Sequence, residues 1–193
     1  MKMKKIYLTS RGLNTIQGRK MIQSALPDED RSRRRILLIT MAEYEINDIL
    51  AAACMDMGFS ADNVVIYDRY HHVDLRKEFH YIYVSEGNTF EILYMMKRHG
   101  LVPLILDSMR KGAVYIGSSA GAMIAGTDIC LAKDFDRNFV RMTDFTALEL
   151  FEGTVIPHYT KEQFERYYDK LGNYWKERYQ QIYYVPDDGI IEM

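Results

Sequence analysis

The chain has 193 residues, 48% of them hydrophobic and 27% charged, with 25 Lys+Arg against 27 Asp+Glu for a formal net charge of -2. A chain of this length can bury roughly 70% of the surface its unfolded form exposes, so a full core needs no disulfide or metal staple. These values exclude a disordered tail, a collagen-like chain and a disulfide scaffold, and they give no net electrostatic pull toward nucleic acid. The basic run Arg31, Arg33, Arg34 and Arg35 leads into an apolar strand and reads as a solvated turn. Two cysteines, Cys54 and Cys130, are too few for a disulfide framework or a four-ligand zinc site and fit a reduced, cytoplasmic setting. The basic start is followed only by Ile6, Tyr7 and Leu8, too short an apolar run for a signal peptide, and no stretch approaches the ~20 apolar residues of a membrane span. The expectation is therefore a single domain over 1–193, cytoplasmic, with no nucleic-acid or membrane partner and no metal or cofactor.

Short β-rich runs alternate with helical patterns along the first half. Strands are predicted over 5–9, 36–40, 64–67, 81–84 and 113–116; the run Ile36-Leu37-Leu38-Ile39 is continuously apolar, as in a strand buried on both faces. Helices are predicted over 45–57, with Gly58 as C-cap, over 89–98, with Gly100 after it, and over 101–111, with Pro103 in the first turn. Strand-helix alternation implies parallel βαβ units and an α/β three-layer sandwich with a mostly parallel central sheet. Sites in such sheets lie at the carboxyl ends of the strands, here the loops after Thr9, Thr40, Val84 and Ile116. The second half is less regular: 133–144 reads as a polar loop or hairpin, 161–180 as a long amphipathic helix rich in Tyr, and 182–185 as a last central strand.

The segment Gly117-Ser118-Ser119-Ala120-Gly121 follows a predicted strand and opens a small-residue helix, the context a nucleophile elbow requires. The sharp turn leaves no room for side chains beside the nucleophile and lifts the Ser119 hydroxyl above the sheet, near a helix N-terminus. A serine nucleophile needs a base. Of the five histidines, His158 ends the apolar run Val155-Ile156-Pro157, which delivers a side chain at a strand end. His99 is explained by a helix C-terminus, His80 by the start of a strand, and the neighbours His71 and His72 point to opposite faces, against a metal site. The acid that would orient the base is sought in Asp187 or Asp188, just past the last strand. Two N–H groups would stabilise an oxyanion: that of Ala120, after the nucleophile, and that of Gly87, in the loop Ser85-Glu86-Gly87-Asn88-Thr89.

With these pieces in order, the chain resembles the aspartyl dipeptidase (dipeptidase E) family of serine peptidases, which has the class I glutamine-amidotransferase-like, flavodoxin-like fold. The resemblance is carried by Gly87-Asn88-Thr89-Phe90, by Tyr115-Ile116-Gly117 with Ser119-Ala120-Gly121-Ala122, by Phe145 with Ala147, Leu148 and Leu150, and by Pro157-His158, and it runs through nearly the whole chain. It implies a cytoplasmic hydrolase of short peptides, often with an acidic N-terminal residue, and the order Ser119, His158, acid, with Asp187 favoured by register and Asp188 left open. Glu86 stands where the family commonly has glycine. A carboxylate there would repel an oxyanion or bind a substrate ammonium, so Glu86 and Asn88 are candidate substrate contacts. Lys133, Arg137 and Arg141 are candidate cations for an acidic substrate side chain. Two rival readings remain: an amidase or acidic-polymer hydrolase on the same fold, and a non-catalytic binding protein that keeps the elbow for packing. A glutamine amidotransferase proper would need Cys in place of Ser119 and Glu in place of Thr160. A short peptide is the expected partner, and homodimerisation is left open.

Overall fold

A computed structural model describes residues 5–41, 44–162 and 174–193. The predicted strands of the first half form β1 (Lys5–Thr9), β2 (Ile36–Ile39), β3 (Val64–Tyr67), β4 (Tyr81–Val84) and β5 (Val114–Ser118). They lie in one six-stranded sheet of order β3-β2-β4-β5-β1-β8, in which β8 (Ile190–Glu192) is the added edge. All neighbours are parallel except β1 and β8, which pair Tyr7 with Glu192 and Thr9 with Ile190 in antiparallel register.

Both faces of the sheet are buried, and the two-residue period of the strands divides the core. Tyr7, Ile36, Leu38, Tyr81, Tyr83 and Ile116 pack with Ile22 of α1 (Ile16–Ala25) and with Leu50, Ala53 and Cys54 of α2 (Tyr44–Asp56). Ile6, Leu8, Leu37, Ile39, Ile82, Val84 and Tyr115 join Phe90 and Leu93 of α3 (Thr89–Arg98), Ile105 of α4 (Leu101–Arg110) and Met123 of α5 (Ala120–Ile124). This is the expected three-layer α/β sandwich. Helix α3 starts where Asn88 accepts the Glu91 N–H at 3.0 Å, and it ends at His99, whose Nδ1 meets the Tyr67 hydroxyl at 2.6 Å.

The structure changes several local expectations. The run 182–185 is not a central strand: β7 (Ile182–Tyr184) pairs in parallel with β6 (Thr154–Ile156) in a separate two-stranded sheet. The reason is packing. Tyr183 meets Phe151 edge-on at 5.5 Å and Val185 is buried in the α3–α5 core, while β8 takes the open edge of β1. Arg31 is not solvated with the rest of its basic run; it is 9% exposed, and its guanidinium donates to the carbonyls of Pro27 and Met57. The predicted 161–180 helix falls mostly outside the described residues, although 174–178 is helical. The polar segment after α5 holds a short 3-10 helix, Cys130–Asp134, followed by irregular chain. Among the described residues no helix is long and apolar enough to cross a membrane, and no His/Cys/Asp/Glu group could hold a metal ion.

Candidate active site

Helix α1 leaves β1 toward one face of the sheet and α5 leaves β5 toward the other. The adjacent carboxyl ends of β1 and β5 therefore form a topological switch point, the place where open α/β sheets hold their ligands. Ser119 sits at this crevice, between β5 and α5, with φ 49° and ψ -104°. A positive φ is costly for a residue with a Cβ, and here it is held by the Ser119 N–H donating to the Thr9 carbonyl at 2.8 Å and by the first turn of α5. The flanking glycines are required by contact. A Cβ on Gly117 would lie 2.5 Å from the Gly121 carbonyl oxygen, and one on Gly121 would lie 2.1 Å from that of Val84. The buried Tyr115 hydroxyl donates to the Gly121 carbonyl at 2.8 Å and ties α5 down onto its strand.

His158 follows β6, also with a positive φ of 56°. Its Nε2 lies 3.0 Å from Ser119 Oγ and its Nδ1 lies 2.6 Å from Asp187 Oδ1. Asp187 follows β7, so the parallel pairing of β6 and β7 delivers His158 and Asp187 at the same end of one ladder. Asp188 is exposed, and of the two aspartates it is Asp187, the one favoured by register, that contacts His158. The Arg11 guanidinium, 2.8 Å from Asp187 Oδ2, and next His158, hold the Asp187 carboxyl below its ordinary range. Sequence reasoning flags the loop after Thr9 but singles out neither Ser10 nor Arg11. Both reach the site through contacts more than 140 positions apart, which no local pattern announces.

Ala120 is the first residue of α5, so its N–H has no partner within the helix and lies next to Ser119. The Gly87 loop lies against the elbow, because Ser118 Oγ donates to Glu86 Oε2 at 3.2 Å. Gly87 has φ 142°, a conformation that favours glycine. Burial pushes the Glu86 carboxyl up, against the pull of Ser118, the Gly12 N–H and Asn14. Ionised Glu86 thus opposes folding at neutral pH. The handicap is absent below the ordinary carboxyl range and grows as pH rises through the elevated value. Glu86→Gln is expected to raise the melting temperature at pH 7.5, with the gain closing toward pH 4; equal melting temperatures at pH 7.5 would refute this.

The segment carrying the candidate cations is tied to the same loop. Asn88 Nδ2 donates to the Arg137 carbonyl at 2.9 Å, and the Thr89 N–H and hydroxyl donate to Asp136 Oδ2 at 2.8 and 2.6 Å. This brings Arg137 to the rim, with its guanidinium 5.2 Å from the Phe139 ring centroid. Lys133 instead lies over Phe145 at 4.4 Å, and Arg141 is exposed, with no contact among the described residues that ties it to Ser119 or His158.

The fold and these contacts define an α/β protein with a serine–histidine–aspartate array at the strand-to-helix turn after β5. A family model, Peptidase family S51, matches residues 8–193, and the chain belongs to that family. An uncharacterized peptidase of Listeria monocytogenes is 38% identical over 93 residues, covering 47% of this chain and 45% of the relative. Peptidase E of Shigella flexneri is 30% identical over 155 residues, covering 76% of this chain and 66% of the relative. In the first of these the match spans less than half of the relative's length. A crystal structure of a Listeria monocytogenes EGD-e protein, described as a candidate peptidase E, superposes with a TM-score of 0.72 at 22% identity, covering 99% of this chain and 94% of the other; it supports the fold.

Proposed function

We propose that this protein is a serine-dependent peptidase of short peptides, dipeptidase-like, working through an acyl-enzyme. The observation that carries the reading is the continuous array Asp187–His158–Ser119, with 2.6 and 3.0 Å links, at the switch point of the sheet. Ser119 Oγ forms a bond to the scissile carbonyl carbon while its proton passes to His158 Nε2. Asp187 accepts from Nδ1, which fixes the tautomer that leaves Nε2 free to take that proton. The N–H groups of Ala120 and Gly87 receive the oxyanion. The C–N bond then breaks, His158 returns the proton to the leaving amine, and water releases the acyl group by the same steps. Membership of a peptidase family and similarity to proteins named peptidase E support a peptide substrate over an amide or an acidic polymer.

A fluorophosphonate probe is expected to label the wild type and to fail on Ser119→Ala; equal labelling of the two proteins would sink the proposal. A panel of dipeptides and simple amides, read for turnover, separates the peptidase from an amidase.

A further inference from the structure

Consecutive residues at the end of β1 touch three different members of the array. The Thr9 carbonyl accepts the Ser119 N–H at 2.8 Å. Ser10 Oγ accepts the His158 backbone N–H at 2.8 Å and donates to the Val185 carbonyl at 2.7 Å, two residues before Asp187. Arg11 Nη2 donates to Asp187 Oδ2 at 2.8 Å. Ser10 is fully buried, so its hydroxyl is a committed bridge and not a surface contact.

Topology explains why such a link is needed. Ser119 leaves the six-stranded sheet, whereas His158 and Asp187 leave the two-stranded one. The β6–β7 ladder fixes His158 relative to Asp187, but it does not fix either relative to Ser119. The two members with positive φ, Ser119 and His158, are also the two whose N–H groups are caught by Thr9 and Ser10. Strained backbone persists where its surroundings over-determine it, and here the same short segment does so on both sheets.

We propose that Thr9, Ser10 and Arg11 form a positioning segment that holds the nucleophile, the base and the acid in one register, with Arg11 also dividing the charge of Asp187; this rests on reading those three as a triad. The charged groups facing His158 are Asp187 from the chain after β7 and Glu86 from the chain after β4, and Arg11 from the chain after β1 acts on both of these carboxyls. Removing the guanidinium takes away the first of the contacts that hold the Asp187 carboxyl down, so its titration moves upward toward the ordinary carboxyl range. Arg11 and Asp187 are both nearly half exposed, so solvent screening keeps that movement small.

The experiment uses Ser10→Ala, Arg11→Gln and Arg11→Lys in the full chain, each first checked for wild-type melting. Ser10→Ala is expected to lower kcat by about 10- to 100-fold at nearly constant KM, the signature of a misplaced but intact site. Arg11→Gln is expected to move the Asp187 carboxyl titration followed by carbon-13 NMR upward, with Arg11→Lys restoring it. Wild-type kcat in Ser10→Ala, or an unmoved Asp187 titration in Arg11→Gln, overturns the proposal. If the wild type cleaves no peptide while the Asp187 titration still moves, the Arg11 coupling is supported and the peptidase reading is the part that falls.

Discussion

Gly121→Ala is expected to lower the melting temperature by about 6–12 °C and to abolish any hydrolase activity. The added Cβ would sit 2.1 Å from the Val84 carbonyl oxygen and within 3 Å of two more atoms of that residue. None of these atoms belongs to a flexible side-chain end, and Val84 is fully buried in the parallel sheet, so β4 or α5 has to move by about an ångström. Overpacking of this kind costs about 3 kcal/mol or somewhat more. At roughly 2–4 °C per kcal/mol for a chain of this size, that gives the stated shift. Moving α5 also moves Ser119, its N-cap, and breaks the Tyr115 hydrogen bond to the Gly121 carbonyl. Gly58→Ala is the control. Its Cβ meets nothing within 4 Å, and only the strain of φ 95° remains, about 1–2 kcal/mol. Differential scanning calorimetry on both variants tests the argument; equal shifts would show that steric overlap at the elbow is not what makes glycine necessary.

The same elbow shows why parts of this molecule can be read from sequence and others cannot. Strands β1 to β5 and helices α2 to α4 announce themselves through continuous apolar runs or helical periodicity, and each sits within a residue or two of its expected place. Helix α1 carries no such stripe. It buries only Gly18 and Ile22, exposes Ile16 at 72%, and is anchored by the Thr15 cap on the Gly18 N–H. Strand β7 is recognisable as a strand, but an apolar run does not say which sheet it joins, and Phe151 and the α3–α5 core make that choice. Ser119 and His158 are legible because a tight turn and a proline-ended strand leave local marks. Asp187 and Asp188 look alike in the local pattern; the register of the family resemblance favours Asp187, and the contact to a histidine 29 positions away separates the two. Ser10 and Arg11 are ordinary residues in a loop, and only the meeting of two sheets gives them a task.

Removing residues 187–193 is expected to reduce kcat/KM by about 10,000-fold, and Asp187→Asn alone should account for nearly all of that loss. The two variants fail for separable reasons. The Asp187→Asn side chain keeps the shape but presents a neutral amide, which accepts or donates toward Nδ1 and so no longer enforces the tautomer that leaves Nε2 free for the Ser119 proton. The substitution also releases Arg11 from its ion pair, a contact too exposed to matter much for stability. The truncation does more. It deletes β8 and with it the antiparallel cover on β1, including the reciprocal hydrogen bonds of 2.9 Å between Ile6 and Met193. The truncated protein should therefore melt earlier than Asp187→Asn, although the two lose activity to a similar extent. Asp188→Asn, at an exposed position outside the array, should behave as wild type. Full activity in the truncation would exclude both aspartates and leave His158 oriented by something other than the chain after β7. Loss in Asp188→Asn with activity retained in Asp187→Asn would mean that the 2.6 Å contact to His158 is not the one that sets its tautomer.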